Sequence, residues 1–145
     1  MRRMTVFTAL GVIALLLSGC AAGPADTAVD PVWTLGPTAN GKTIELIPGV
    51  ETVRVMLPGN PTTGYQWEFG GVDGTAVAQT GSVQYEADPN ASGRVGAGGL
   101  FTATYQVRGP GQATIHLVYR RVWEKQERIP ARFDAILIVP PPAAR

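Results

Sequence analysis

The sequence predicts an all-β fold, an antiparallel sandwich of about seven or eight short strands, and three observations support it. From position 32 onward, apolar and polar residues alternate with a period of two. Turn-forming pairs that contain glycine or proline separate the alternating runs. The same part of the sequence has no stretch with the 3.6-residue period of an amphipathic helix. Strands without helices bury their apolar faces by packing sheet on sheet.

Five alternating runs are predicted strands, and each has a face for the core, as half-buried antiparallel sheets require. The core-facing positions are Val53, Val55 and Leu57; Tyr65, Trp67 and Phe69; Phe101, Ala103, Tyr105 and Val107; Ile115, Leu117 and Tyr119; and Phe133, Ala135, Leu137 and Val139. The predicted turns are Pro48 with Gly49, Pro58 with Gly59, Gly70 with Gly71, Asp73 with Gly74, and residues 109–111. We place Trp67 on a central strand, which is typical of an immunoglobulin-like core.

Composition limits the function classes to which this chain can belong. Its 145 residues support one domain, and 12 Lys and Arg against 11 Asp and Glu give none of the basic excess typical of nucleic-acid binding. One Cys and one His leave no internal disulfide and no cluster of metal ligands, so we predict neither a metal nor a cofactor. His116 alternates with Ile115 and Leu117, so we expect it to face solvent. We therefore predict that the protein is not an enzyme.

The N-terminus is predicted to direct export. Arg2 and Arg3 precede an apolar run at residues 6–17, which is too short to span a membrane stably. The residues before Cys20 resemble a bacterial lipobox, which implies that residues 1–19 are a signal peptide and that Cys20 receives a lipid. Residues 20–31 are then a tether, residues 32–139 the folded domain and residues 140–145 a disordered tail. We expect a monomer anchored to a membrane of the bacterial cell envelope, and a plain secretory signal is the alternative.

Three segments have features that the fold alone does not require. The first, residues 60–65 (NPTTGY), lies between two predicted strands. Pro61 fixes its own φ, and Gly64 can take the positive φ that turns the chain back into a strand. Thr62 and Thr63 are stiff and carry hydroxyls, so we predict a short, rigid, polar prong. A purely structural turn is the alternative.

The second segment is a glycine ribbon at residues 96–99, and the third contains an exposed tryptophan. Gly96, Gly98 and Gly99 precede a predicted strand, and glycine there lets another backbone approach closely. A mobile hairpin loop is the alternative. In residues 120–125 (RRVWEK), Trp123 lies among charged side chains, and exposed Trp and Arg are enriched at binding hot spots. The alternative is that Trp123 folds back over the end of the sandwich.

The predicted fold brings the three segments together. In an immunoglobulin-like sandwich with strands A to G, they fall in the B–C, D–E and F–G loops, which we expect to lie at one end of the domain. Each loop alone has a structural explanation, but three unusual loops at one end are better explained by a single binding surface.

Taken together, NPTTGY, G-x-G-G before an aromatic strand, and R-x-W resemble the chagasin-type inhibitors of papain-family cysteine peptidases. The resemblance covers most of residues 40–139 and implies an immunoglobulin-like fold and reversible inhibition of papain-like cysteine peptidases. It also implies the binding residues: Asn60, Pro61, Thr62, Thr63, Gly64 and Tyr65 as a wedge in the catalytic groove, Gly96, Gly98 and Gly99 along the unprimed subsites, and Arg121 and Trp123 on the primed side. Val122 stands where the family commonly has proline, so we expect this loop to be less rigid. A non-inhibitory envelope lipoprotein that binds a partner through the same loops is the alternative.

Overall fold

The segments in which apolar and polar residues alternate form hydrogen-bonded β-strands, and the described residues contain eight of them. The structure is a computed structural model that describes residues 31–91, 96–124, 129 and 131–142. Cys20, the predicted signal peptide, most of the predicted tether and residues 143–145 lie outside the described residues. The strands are β1 (Val32–Leu35), β2 (Lys42–Glu45), β3 (Thr52–Gly59), β4 (Tyr65–Gly74), β5 (Val77–Ala87), β6 (Gly99–Val107), β7 (Gly111–Arg121) and β8 (Ala131–Val139).

The strands form two four-stranded sheets, in the orders β1-β3-β6-β5 and β2-β8-β7-β4. The predicted all-β, immunoglobulin-like sandwich is therefore confirmed, with one difference from a purely antiparallel arrangement. β1 runs parallel to β3, and β2 runs parallel to β8. Between β1 and β2, a short 3-10 turn at Pro37–Ala39 carries the chain from the edge of one sheet to the edge of the other.

The core lies between the two sheets and comes mainly from the predicted inward positions. Buried core residues from β3, β6, β7 and β8 are Val53, Val55, Leu57, Phe101, Ala103, Tyr105, Ala113, Ile115, Leu117, Phe133, Ala135, Leu137 and Val139. Residues 31–142 contain no cysteine, so packing and hydrogen bonds hold the sheets together without a disulfide. Of the described residues, no helix is long and apolar enough to cross a membrane.

Strand β4 differs from the prediction in two ways. The sequence predicts a turn at Gly70 and Gly71, but β4 continues through both residues, and its register with β7 shifts between Phe69 and Gly71. The unpaired residue is Gly70, which makes a β-bulge at this point. Glycine is also favoured at the next position, because Gly71 has φ of +130°. Trp67 lies on this strand, which is at the edge of its sheet and not in the centre as predicted. Even so, Trp67 is a core residue with only 9% of its surface exposed.

The strand register places the three predicted loops at one end of the sandwich. In one sheet Gly59 pairs with Gly99, which pairs with Ala87 on the other side. In the other sheet Tyr65 pairs with Arg121. The B–C loop (residues 60–64), the D–E loop (88–98) and the F–G loop (122–130) therefore leave the sheets together, and we call this the loop end. The opposite or far end holds the starts of β1 and β3 and the end of β8.

Candidate functional site

The B–C loop is a short prong ordered by its own hydrogen bonds. Asn60 is extended, with φ of −135° and ψ of 99°, and caps a 3-10 turn at Pro61–Thr63. Its Oδ1 accepts from the backbone N–H of Thr62 at 3.1 Å and from the Thr62 hydroxyl at 2.6 Å, as in a helix N-cap. The Thr63 hydroxyl donates to the Asn60 carbonyl at 2.7 Å. Gly64, with φ of +82°, then returns the chain to β4, so the prong has a defined shape.

Aromatic side chains support the base of this prong. The backbone N–H of Asn60 donates to the Tyr119 hydroxyl at 3.2 Å. The Tyr119 ring lies 5.5 Å from that of Tyr65 and 5.1 Å from that of Trp67, centroid to centroid. Trp67 in turn donates its indole N–H to the Pro58 carbonyl at 3.0 Å. The prong is therefore fixed to the core at the residue where it begins, since Tyr119 reaches it from β7.

The glycine ribbon of the D–E loop is held against the prong. The Asn60 side-chain amide donates to the Gly96 carbonyl at 2.6 Å, and a Cβ on Gly96 would lie 3.8 Å from the Thr62 hydroxyl oxygen. A Cβ on Gly98 would lie 3.1 Å from the Gly59 carbonyl oxygen, and one on Gly99 would overlap the carbonyl of a residue on β5. The close backbone approach predicted for these glycines therefore occurs within this chain. Residues 92–95 of the same loop lie outside the described residues.

The F–G loop packs against the other side of the prong through Trp123. The indole lies over Gly64, where any Cβ would overlap its six-membered ring. The rest of the side chain faces solvent, and 69% of the surface of Trp123 is exposed. The predicted alternative, a lid that folds over the end of the core, does not describe this position. Trp123 instead forms an exposed apolar surface over Gly64, the residue that follows the two threonines.

Arg121, the last residue of β7, makes three contacts that link the F–G loop to the prong and to the start of β4. Its Nε donates to the Thr63 carbonyl at 3.1 Å, and its guanidinium carbon lies 4.4 Å from the centre of the Tyr65 ring. One terminal nitrogen donates to Glu124 Oε1 at 2.8 Å. This hydrogen bond raises the pKa of Arg121 above its ordinary value.

All predicted binding residues lie at the loop end, where contacts join the three loops. They are Asn60, Pro61, Thr62, Thr63, Gly64, Tyr65, Gly96, Gly98, Gly99, Arg121 and Trp123. Two further residues of this site, Tyr119 and Glu124, are not predicted from the sequence. Tyr119 alternates with Leu117, which assigns it to the core alone, and a glutamate in a charged loop gives no signal of its own.

His116 is remote from the loop end and has carboxylate partners. It is half-buried on the outer face of β7, whereas the sequence predicts exposure to solvent. Its Nδ1 lies 2.5 Å from Asp134 Oδ1, and its Nε2 lies 3.1 Å from Asp73 Oδ2. No hydroxyl or thiol of the described residues hydrogen-bonds to this ring, and those residues hold no group of three or more metal-ligating side chains. Without a nucleophile the arrangement lacks the geometry of a catalytic triad.

Comparison with known proteins identifies the family. The family described as Chagasin family peptidase inhibitor I42 matches residues 47–136. Amoebiasin-1 of Entamoeba histolytica is 38% identical over 84 residues, which are 58% of this chain and 78% of that protein. Chagasin of Trypanosoma cruzi is 33% identical over 99 residues, which are 68% of this chain and 89% of that protein.

A solved structure shows the same fold. The crystal structure of the cysteine protease inhibitor EhICP2 from Entamoeba histolytica superposes with a TM-score of 0.63 at 23% identity, over 75% of this chain and 96% of that chain. The family match begins before β3, ends within β8 and includes the B–C, D–E and F–G loops. The chain therefore belongs to the chagasin family of peptidase inhibitors, and it is an inhibitor and not an enzyme.

Proposed function

We propose that this protein reversibly inhibits papain-family cysteine peptidases by filling the active-site cleft with its loop end. One observation supports this most directly: the three loops are joined to one another by hydrogen bonds and ring packing before any partner binds. A preassembled edge loses little conformational entropy when it docks, which favours tight binding for an interface of ordinary size.

The prong is the part proposed to enter the catalytic groove. Thr62 and Thr63 are exposed and lie at its tip, so they come nearest to the peptidase thiolate and imidazole. The backbone there is a 3-10 turn, whereas a peptidase substrate must lie extended across the nucleophile. No peptide bond of the prong is then aligned for attack, so the enzyme is blocked without being acylated and the inhibitor dissociates intact.

The glycine ribbon and Trp123 are proposed to bind on either side of the prong. The carbonyls of Gly96 and Gly98 already accept hydrogen bonds from Asn60 and Asp88. We therefore expect the ribbon to offer mainly N–H donors to the unprimed subsites. On the primed side, the exposed indole of Trp123 stacks on an aromatic side chain of the enzyme, while Arg121 contributes through its support of that loop.

Inhibition of papain tests the proposal. The soluble form, residues 26–145, retains every described residue and is expected to inhibit papain reversibly. Thr62→Ala and Trp123→Ala should each weaken inhibition by about tenfold or more, as hot-spot residues do. Thr43→Ala, on the exposed part of β2, is the matched control and should change nothing.

The melting temperature of each variant and the residual papain activity show whether a loss of inhibition comes from lost contacts with the enzyme or from lost stability. Because the substituted side chains are exposed, melting temperatures should stay within a few degrees of the parent. Full papain activity at micromolar inhibitor, repeated across a panel of papain-like peptidases, would reject the proposal and favour a non-inhibitory binding module.

We further propose that the chain is a monomeric bacterial lipoprotein, anchored in the cell envelope through Cys20 after residues 1–19 are removed. The support is the sequence alone: a positive start, an apolar run and a small residue before the single Cys. Bacterial expression followed by intact mass analysis should show cleavage before Cys20 and an added diacylglycerol. Cys20→Ser should abolish both the modification and detergent-phase partitioning, and an unmodified wild-type thiol would refute the anchor. Sedimentation of the soluble form tests the monomer.

A further inference from the structure

We propose that Glu124 is a positioning residue of the loop end. Its side chain closes the F–G turn and so supplies the restraint that a proline at position 122 would give. The inference rests on the proposed function, since it concerns how the loop end is held ready for the peptidase. Glu124 itself lies beside the binding residues and contacts Arg121. Its effect on inhibition is therefore exerted through Arg121 and Trp123.

The turn that carries Trp123 is closed twice by the same pair of residues. The backbone N–H of Glu124 donates to the Arg121 carbonyl at 3.2 Å, which defines a four-residue β-turn with Val122 and Trp123 at its centre. The Glu124 side chain then crosses the turn to the Arg121 guanidinium at 2.8 Å. Because the side-chain bond joins the same two residues as the backbone bond, it opposes opening of the turn.

Val122 occupies the position at which a turn gains most from proline. It is the second residue of the turn, where the fixed φ of proline is favoured in the common turn types. Its own φ is negative, and its N–H donates no loop hydrogen bond to a described residue. With 51% of its surface exposed, Val122 contributes little packing. The turn therefore has no covalent restraint, and the Arg121–Glu124 ion pair supplies a polar one.

The ion pair also controls where Arg121 points. The same guanidinium donates to the Thr63 carbonyl and covers the Tyr65 ring. The hydrogen bond to Glu124 is the third restraint on the Arg121 side chain. Neutralising the Glu124 carboxylate weakens that restraint and lets the Arg121 side chain move away from the prong. Trp123, two residues along, would then lose its fixed position over Gly64. Glu124 thus links the order of the turn to the order of the prong.

A matched set of variants of residues 26–145 tests the inference against papain. Glu124→Gln should raise the inhibition constant about two- to fivefold at low salt, the size expected from losing an exposed ion pair. Glu45→Gln removes an equal charge from an exposed site on β2 near the far end and should have no effect. Val122→Pro restrains the turn without a charge, so it should restore Glu124→Gln to the parent value.

Salt distinguishes positioning from direct attraction to the enzyme. Raising the ionic strength weakens exposed ion pairs and should weaken inhibition by the parent protein more than by Val122→Pro, although the two carry the same charges. Equal salt dependence of these two proteins would mean that the charges act on the peptidase directly, and it would overturn the inference.

A measurement on the free inhibitor separates the two proposals. Nitrogen-15 relaxation of the Trp123 indole N–H and of the backbone at residues 122–124 should show lower order in Glu124→Gln and recovery in the double variant. If the parent inhibits papain but Glu124→Gln is equally potent and equally ordered, the positioning role is wrong and the proposed function stands. If the parent fails to inhibit, the proposed function is wrong, while the relaxation data still decide whether Glu124 orders the turn.

Discussion

At Gly64 two separate requirements fall on one residue. The backbone needs φ of +82° to leave the 3-10 turn and enter β4, and the ring of Trp123 lies where a Cβ would be. The first requirement concerns the stability of the fold, because non-glycine residues are disfavoured in this region. The second concerns the proposed inhibitory surface, because it sets the position of the exposed indole.

Gly64→Ala should therefore lower both stability and inhibition. We expect the left-handed backbone to cost about 1–2 kcal/mol in the free energy of unfolding and the displaced indole to weaken papain inhibition by about tenfold. Gly49→Ala is the control, since Gly49 has φ of +91° and a Cβ added there would meet nothing within 4 Å. Urea unfolding should show similar losses for both, whereas inhibition should fall only for Gly64→Ala. Equal inhibition by the two variants would show that Trp123 does not depend on Gly64.

Residue-level prediction from sequence succeeded where a residue type has one dominant physical use. Gly64 is assigned a positive φ because glycine tolerates it, and Trp123 an exposed position because charged neighbours surround it. Glu124 and Tyr119 were missed because their roles depend on partners. The Glu124 carboxylate matters only because the Arg121 guanidinium donates a hydrogen bond to it. The Tyr119 hydroxyl matters only because it accepts a hydrogen bond from the backbone N–H of Asn60.

Among the strands, β7 connects the loop end to the rest of its sheet. It ends at Arg121 at the loop end, and at its middle His116 bridges Asp73 on β4 and Asp134 on β8. Other charged side chains at outward positions of these three strands are Glu68, Arg120 and Arg132, of which Arg120 pairs with Glu68 at 2.7 Å. Three strands are thus joined by one imidazole, so its charge affects how firmly they are held.

The stability of the domain should depend on pH through His116. The hydrogen bond to Asp134, more than the one to Asp73, raises the pKa of His116 in the folded state, and partial burial opposes this only in part. The stabilising contribution is fully present below the ordinary pKa of about 6.5 and is lost as pH rises through the raised value. Urea unfolding across that interval should show the free energy of unfolding falling with increasing pH. His116→Gln should flatten this dependence, and an unchanged slope in that variant would assign the effect to other groups.

Element boundaries were predicted less well than element identities, for reasons that particular strands illustrate. β3, β6 and β7 alternate in sequence, whereas β8 is apolar on both faces through Ile136 and Ile138; in all four strands the predicted core faces are the buried ones. β1 and β2 have four residues each and pair in parallel at sheet edges, so four-residue alternation carries too little signal to reveal them. Gly70 and Gly71 indicate a turn, but the same glycines also suit a β-bulge, and cross-strand pairing decides between the two.

The two ends of the domain differ along the direction of its strands. All three loops of the proposed binding surface lie at one end, whereas Val32, the first strand residue, lies at the other, paired with Thr52. The eight residues of β3 separate these ends by about 25 Å at the usual rise of a strand. A chain that is anchored through residues before Val32 would therefore present the binding loops away from its attachment point.

Attaching the soluble form to lipid vesicles at chosen sites tests this polarity. Residues 26–145 contain no cysteine, so Val32→Cys and Asn90→Cys each give a single coupling site, one at the far end and one in the D–E loop. Coupled at position 32, the inhibitor should keep the inhibition constant of the free protein. Coupling at position 90 should weaken inhibition about tenfold or more, because the bilayer then blocks access to the loops. Uncoupled variants provide the controls, and equal inhibition by both coupled proteins would refute the polarity.

The absence of cysteine from residues 31–142 has a consequence for the conditions in which this inhibitor works. Cysteine peptidases are active only while their nucleophilic sulfur is reduced, so their activity follows the redox state of the surroundings. The inhibitor domain has no sulfur–sulfur bond that a reductant could break. It should therefore keep its fold and its binding under the reducing conditions in which its target peptidases are active.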